Sequence, residues 1–169
     1  RDHENWVAYA NALQRCRRHA DAIKALMSAL AGELQCAALH FQLGTSFKGL
    51  GMTAQAAECV RTALILGLGD SEFAARGLLA MMDRETCNWQ SSRETLAELR
   101  QAVMAAPDAT PLETSPFTHA VLVGDPLEQL KVARHYANFV ARGVKPLPCR
   151  PARSRLGRLR IAYLSADFH

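Results

Sequence analysis

Aromatic side chains make up only 7% of the 169 residues, and no apolar run reaches the ~18 residues that a membrane-crossing helix needs. The first scarcity excludes a core of stacked rings and leaves Ala and Leu to fill it, which favours helices whose axes approach closely. The second excludes a spanning segment, so a membrane is not among the expected partners. The opening Arg1-Asp2-His3-Glu4-Asn5 carries no apolar leader, and no signal peptide is expected. It also lacks an initial Met, so residue 1 is read as an internal position of a longer protein. Five cysteines (Cys16, Cys36, Cys59, Cys87, Cys149) include no C-x-x-C pair. An odd, scattered set argues against a disulfide framework or a zinc site and for a reducing, cytoplasmic setting. Cys16 and Cys59 lie in helical patterns where a small buried thiol packs well. A glycine-rich phosphate loop is missing before residue 169, as is a lysine placed after a complete βα unit. No catalytic, cofactor-binding or metal-ligating residue is therefore assigned within the chain.

Against these absences, 49% of the residues are apolar, enough to fill a core, and the formal charge is +4. Much of that charge sits in Arg150, Arg153, Arg155, Arg158 and Arg160, beside Pro146, Pro148 and Pro151. Arginines interleaved with prolines read as a solvated, extended linker; they are not focused on a helix face, so nucleic acid is not an expected partner.

The chain repeats itself at an interval of 34 residues. Trp6, Tyr9, Ala10, Leu13, Ala22, Leu26, Ala29 and Leu30 become His40, Leu43, Gly44, Phe47, Ala56, Val60, Ala63 and Leu64, and every pair but the first keeps its size and polarity. Tyr9, Ala10 and Leu13, like Leu43, Gly44 and Phe47, put apolar groups on one face of a first helix. Ala10 and Gly44 are small enough for the second helix to cross close by, where Ala22 and Ala56 are its small partners. Gly49 and Gly51 suit a tight turn between helices, and Arg17-Arg18-His19 is its counterpart in the first unit. Period and small residues resemble the tetratricopeptide repeat; a generic helical bundle is the alternative, and it would not require a shared period. Such repeats stack into a right-handed superhelix with a concave, peptide-binding face, where Asn11, Gln42, Thr45 and Lys48 are the candidate groove residues.

Beyond Asp70 the period fails. Ser71 is expected to cap a helix carrying Phe73, Leu78, Met81 and Met82 as core. A second helix is expected from about Ser91, with Ser91 and Glu94 as a capping box and Leu96, Leu99 and Val103 as its apolar stripe. Trp89 would seal the turn of this array-ending pair. Pro107 to Pro111 breaks the helix. Ser115-Pro116 can start a short one with Phe117 and Val121 facing inward. Asp125, Pro126 and Gly143 frame a last helix of about 17 residues. Its apolar stripe is Leu127, Leu130, Ala133, Tyr136 or Ala137, and Val140, and it leaves His135 at the surface. The expected organisation is repeats over 1–106, connector helices over 107–145, a Pro/Arg linker over 146–158 and a strand from 159. The fold class is thus all-α, ending in the first β-strand of an α/β lobe, because one strand cannot satisfy its own backbone groups.

Two stretches give the resemblance a definite family. Thr86-Cys87-Asn88-Trp89 is similar to the C-x-W motif that follows the last repeat of the O-linked N-acetylglucosamine transferases. Arg158-Leu159-Arg160-Ile161-Ala162-Tyr163-Leu164-Ser165-Ala166-Asp167-Phe168 resembles the strand opening their first catalytic lobe. Ser115-Pro116-Phe117 and Asp125-Pro126 look like the connector between the two. The resemblance implies a parent enzyme of two-lobed GT-B form, which moves N-acetylglucosamine from UDP-GlcNAc to Ser or Thr hydroxyls of a polypeptide acceptor without a metal. This chain would be its inactive, acceptor-presenting part. In that family a histidine follows the Asp-Phe pair three positions on. His169 stands one position on, so Asp167 and His169 are expected near the active site without a catalytic role. Where many members carry groove asparagines this chain has Ala8 and Gln42. A plain interaction scaffold joined to another domain is the alternative reading.

Overall fold

The Ala- and Leu-rich periodic segments all become helices in the computed structural model, which describes residues 2–108 and 110–145. Among the described residues there are eight α-helices, one 3-10 turn and no strand. They are α1 (Asp2–Arg15), α2 (His19–Gly32), α3 (Ala37–Gly49), α4 (Thr53–Leu66), α5 (Glu72–Glu85), α6 (Trp89–Ala105), α7 (Pro116–Leu122) and α8 (Pro126–Ala141), with the 3-10 turn at Gly69–Ser71. The expected linker over 146–158, the expected strand from 159, Cys149, Asp167 and His169 lie outside the described residues.

One turn is used three times. Between α1 and α2 the amide of Arg18 donates to the carbonyl of Leu13 at 2.9 Å; Met52 donates to Phe47 at 3.0 Å between α3 and α4, and Asn88 to Asp83 at 2.7 Å between α5 and α6. This bond, reaching back five residues, satisfies a carbonyl that the ending helix leaves open. It requires a left-handed residue just before the donor, and Arg17, Gly51 and Cys87 have φ of 59°, 77° and 59°. The exact 34-residue spacing stops after the second unit, but α5 and α6 turn in the same way. Only the middle turn has the residue type that adopts this conformation without cost.

Helices α1 to α6 pack in chain order and α1 also touches α3; α7 lies against α5, and α8 against α7 and α6. Ala10, Leu26, Ala29, Leu30, Leu39 and Leu43 form one buried cluster, and Ala56, Ala57, Val60, Ala75, Leu79 and Met82 a second. The two helices of the second pair approach closely at Gly44, where an added Cβ would lie 2.8 Å from Val60 Cγ2 and 3.0 Å from the Ala56 carbonyl. Leu99, Val103 and Val132 make a smaller third cluster that ties α8 to α6. Leu26 and Val60 are wholly buried, as the repeat pattern requires, whereas Tyr9 is half exposed. Of the two thiols expected to be buried, Cys16 is exposed and Cys59 half-buried; Cys36 is the buried one.

The connector departs from the sequence expectation. Phe117 is 79% exposed and Val121 also faces solvent; the residue α7 buries is His119. On α8 the buried residues are Glu128, Val132 and His135, while Leu127, Leu130, Tyr136 and Val140 are exposed. His135 is therefore interior. Polar tethers decide this orientation: His135 Nδ1 lies 2.6 Å from the Thr110 carbonyl, and the Thr114 hydroxyl donates to the Val132 carbonyl. The α8 boundaries match their signals, with Asp125 Oδ1 accepting from the amides of Leu127 and Glu128 and Pro126 as first residue.

Two further corrections concern α5 and α6. Helix α6 starts at Trp89, so Ser91 lies inside it and donates to Asp83 Oδ2 at 2.6 Å instead of capping. Ser71 likewise gives its hydroxyl to Glu113 and makes no cap bond. Trp89 is 54% exposed and does not seal its turn.

Relieving the left-handed strain tests the turn assignment. Arg17→Gly and Cys87→Gly are each expected to raise stability by about 1 kcal/mol, read as a higher urea midpoint at unchanged m value. Gly44→Val, which forces methyl groups against Val60 and the Ala56 carbonyl, is expected to cost about 1–3 kcal/mol in the same measurement.

Candidate functional site

Helices α1, α3 and α5 are the first helices of three successive pairs, and α1 packs on α3. Side-chain contacts link the three. Gln14 Nε2 on α1 donates to the Gln42 carbonyl at 3.0 Å and to Ser46 Oγ at 2.8 Å on α3. Lys48 on α3 pairs with Glu85 on α5. Three of the four candidate groove residues, Gln42, Thr45 and Lys48, share α3, and Asn11 is exposed on α1. The Thr45 hydroxyl donates to the Phe41 carbonyl, which leaves the oxygen free to accept. The Gln42 side-chain oxygen is buried and has no hydrogen-bond partner. A buried amide oxygen without a donor is unfavourable; being inside the protein, this one is out of reach of a chain lying on the surface. Repeat spacing singled out Gln42 and Lys48 as candidates, but no spacing points to Gln14, Ser46 and Glu85, whose contacts depend on which helices become neighbours.

On α5, Asp83 is buried and bonded to Arg61 Nη2 at 2.5 Å and to the Ser91 hydroxyl at 2.6 Å, and Ser92 donates to the Ala80 carbonyl. These bonds lock α4, α5 and α6 together. On the side of α4 and α6 lies an open groove of about 410 Å³ edged by Arg61, Arg76, Glu94 and Glu98. Arg61 pairs with Glu58 and Asp83 there, and Arg76 with Glu72 and Glu98. With each guanidinium matched by carboxylates, the groove has no net attraction for a phosphate.

In the connector, Glu128 is buried between Arg100 and His119. Arg100 grips both of its oxygens, at 3.1 and 3.0 Å from Nε, and His119 Nε2 lies 2.9 Å from Oε1. Burial pushes the His119 imidazole below its ordinary value, with Arg100 adding to the shift, and this outweighs the opposing pull of Glu128. A neutral His119 that donates to a buried carboxylate already held by Arg100 acts as a structural clasp among α6, α7 and α8. The cluster accounts for all three side chains without a substrate. Burial likewise pushes the Cys59 thiol up, with Glu58 adding to it, so this sulfur is a poor nucleophile.

For a metal ion, His3 Nδ1, a Glu33 oxygen and Cys36 Sγ lie within 4.8 Å of one another among the described residues. The His3–Glu33 contact at 3.6 Å and the packing of Cys36 in the first core cluster account for these groups as they stand. No helix among the described residues is long and apolar enough to cross a membrane. The chain matches no known protein family and no curated protein.

The His119 clasp carries a pH signature. Unfolded, the imidazole titrates near 6.5; folded, it holds its proton less well, so protonation favours the unfolded chain. This contribution is present above about pH 6.5 and is lost as pH falls below it. His119→Gln is expected to flatten the loss of stability between about pH 7 and pH 5, measured by urea unfolding at each pH.

Proposed function

We propose that this chain is the acceptor-presenting N-terminal part of a cytoplasmic, UDP-GlcNAc-dependent protein O-GlcNAc transferase and is itself inactive. The observation that carries the reading is the Arg158–Phe168 motif, supported by Thr86-Cys87-Asn88-Trp89 at the end of the repeats. The helical pairs fit tetratricopeptide hairpins, for which the 34-residue period and the thrice-used turn both speak. Stacked with a right-handed superhelical twist, they would turn the α1–α3–α5 face into a concave groove. An extended acceptor would lie there against Asn11, Gln42, Thr45 and Lys48, with the Thr45 hydroxyl oxygen able to accept an amide of its backbone. Holding the acceptor in this way lowers the entropic cost of bringing a Ser or Thr hydroxyl to the donor sugar. The donors that stabilise the departing diphosphate would come from the catalytic lobe opened by the Leu159–Ser165 strand, with Asp167 and His169 near its active site.

A second reading, a repeat scaffold that recruits a partner protein, needs only the α1–α3–α5 face and no catalytic lobe. UDP titration separates the two. The natural reading frame continued past His169 is expected to bind UDP in calorimetry, and this chain alone is not. Absence of UDP binding by the longer protein overturns the transferase and leaves the scaffold.

A further inference from the structure

Folding brings three donors of different chemistry to one place, between the start of α1 and the α2–α3 turn. His3 Nδ1, a Glu33 carboxylate oxygen and Cys36 Sγ lie within 4.8 Å of one another. Proximity and packing explain where these groups stand, but not how their donor atoms are satisfied. His3 and Glu33 are 3.6 Å apart, beyond a good hydrogen bond, and Cys36 is a free thiol. The short segment that carries Glu33 and Cys36 is tied by two bonds: the Cys36 amide donates to the Glu33 carbonyl at 3.4 Å, and His40 Nε2 donates to the Leu34 carbonyl at 2.8 Å. Val7, one helical turn on from His3 and so on the same side of α1, packs against the core cluster that contains Cys36. An open cavity of about 260 Å³, bordered by His3, Trp6, Ala29, Glu33 and Leu39, leaves room for an ion and a water beside these groups.

We propose that His3, Glu33 and Cys36 bind a zinc ion, with water as the fourth ligand. Imidazole nitrogen, carboxylate oxygen and thiolate sulfur are all zinc ligands, at about 2.0–2.3 Å, whereas calcium and magnesium take oxygen donors alone. In a tetrahedron of such bonds the ligand atoms stand about 3.3–3.6 Å apart. The His3–Glu33 pair already has that spacing. The sulfur is no more than 4.8 Å from either partner, so a movement of roughly 1 Å, which side-chain rotation at His3 or Glu33 supplies, completes the set. On binding, the Cys36 thiol gives its proton to water and forms the zinc–sulfur bond; thiolate and carboxylate together balance the two charges of the ion. The ion clips the start of α1 to the α2–α3 turn and favours the folded chain by mass action. No spacing rule reports such a site, because the cysteines form no C-x-x-C pair and His3 is remote in sequence from its partners. The inference is independent of the activity proposed above.

Cobalt, which takes the place of zinc and absorbs light, tests the site in the full chain kept reduced and free of any histidine tag. Titration with Co²⁺ is expected to raise a thiolate-to-cobalt charge-transfer band that saturates at one ion per chain and disappears on adding Zn²⁺. His3→Ala and Glu33→Ala are each expected to weaken zinc binding in calorimetry by more than about tenfold, the least that a lost ligand costs. Cys36→Ser is expected to remove the band. Cys36 is packed in the core, so its variant can lose the band through misfolding; the His3 and Glu33 side chains are partly exposed, and their variants keep the test decisive. Absence of the band in the unaltered chain overturns the proposal. Zinc affinity unchanged in either His3→Ala or Glu33→Ala overturns it as well, and assigns any cobalt band to another of the five cysteines.

Discussion

At Gly44 the two helices of a pair come so near that one Cβ would collide with Val60 and press on the Ala56 carbonyl. Much of the described structure follows from this closeness. Axes that approach so tightly demand small residues at the crossing, and Ala10, Ala22 and Ala56 are buried to the last atom. They also demand a short connection, which the five-residue-back hydrogen bond supplies at each of the three turns. Of the first helices, α1 and α3 pack on each other, and the Lys48–Glu85 pair links α3 to α5. At Arg17 and Cys87 the turn imposes its left-handed conformation on residues with side chains, so tertiary packing prevails over a local preference worth about 1 kcal/mol.

The connector obeys a different rule. Besides the apolar contact of Val132 with Leu99 and Val103, hydrogen bonds and charges join it to α6, through Arg100 on Glu128 and Lys131 on the Met104 carbonyl, and hold it together internally, through His119 on Glu128 and Thr114 and Thr110 with the Val132 and His135 region. A buried carboxylate is costly unless it is paired and fully bonded, and Glu128 is gripped on both oxygens. Such contacts are directional, so they fix how α8 is rotated even though an apolar stripe lies on its other side. That rotation leaves Leu127, Leu130, Tyr136 and Val140 exposed. The α1–α3–α5 side, by contrast, is polar and offers hydrogen bonds, as an extended chain would require.

The polar side bears on function. A polar face that offers hydrogen bonds suits transient recognition of many sequences, because backbone groups are common to all polypeptides. The transferase reading places an acceptor there, and the scaffold reading a partner protein.

The amino-acid sequence by itself determined the helical class of residues 2–108 and 110–145, the pairing of α1 with α2 and α3 with α4, and the close crossing at Ala10 and Gly44. These depend on spacing within one or two helices, where residue size and a 3.6-residue period act locally. It also determined the caps of α7 and α8, since Ser115 and Asp125 bond to amides two or three residues away. Only the tertiary structure decided which side of α8 turns inward. Two stripes compete on that helix, Leu127–Leu130–Val140 and Glu128–Val132–His135, and periodicity favours the more apolar one. The second wins because Arg100, Thr110 and His119, remote in sequence, arrive at positions where they bond to it. The same distance in sequence hid Gln14, Glu85 and the Asp83–Ser91 bond: a polar side chain's worth depends on the partner that folding brings to it, and no spacing rule reports that.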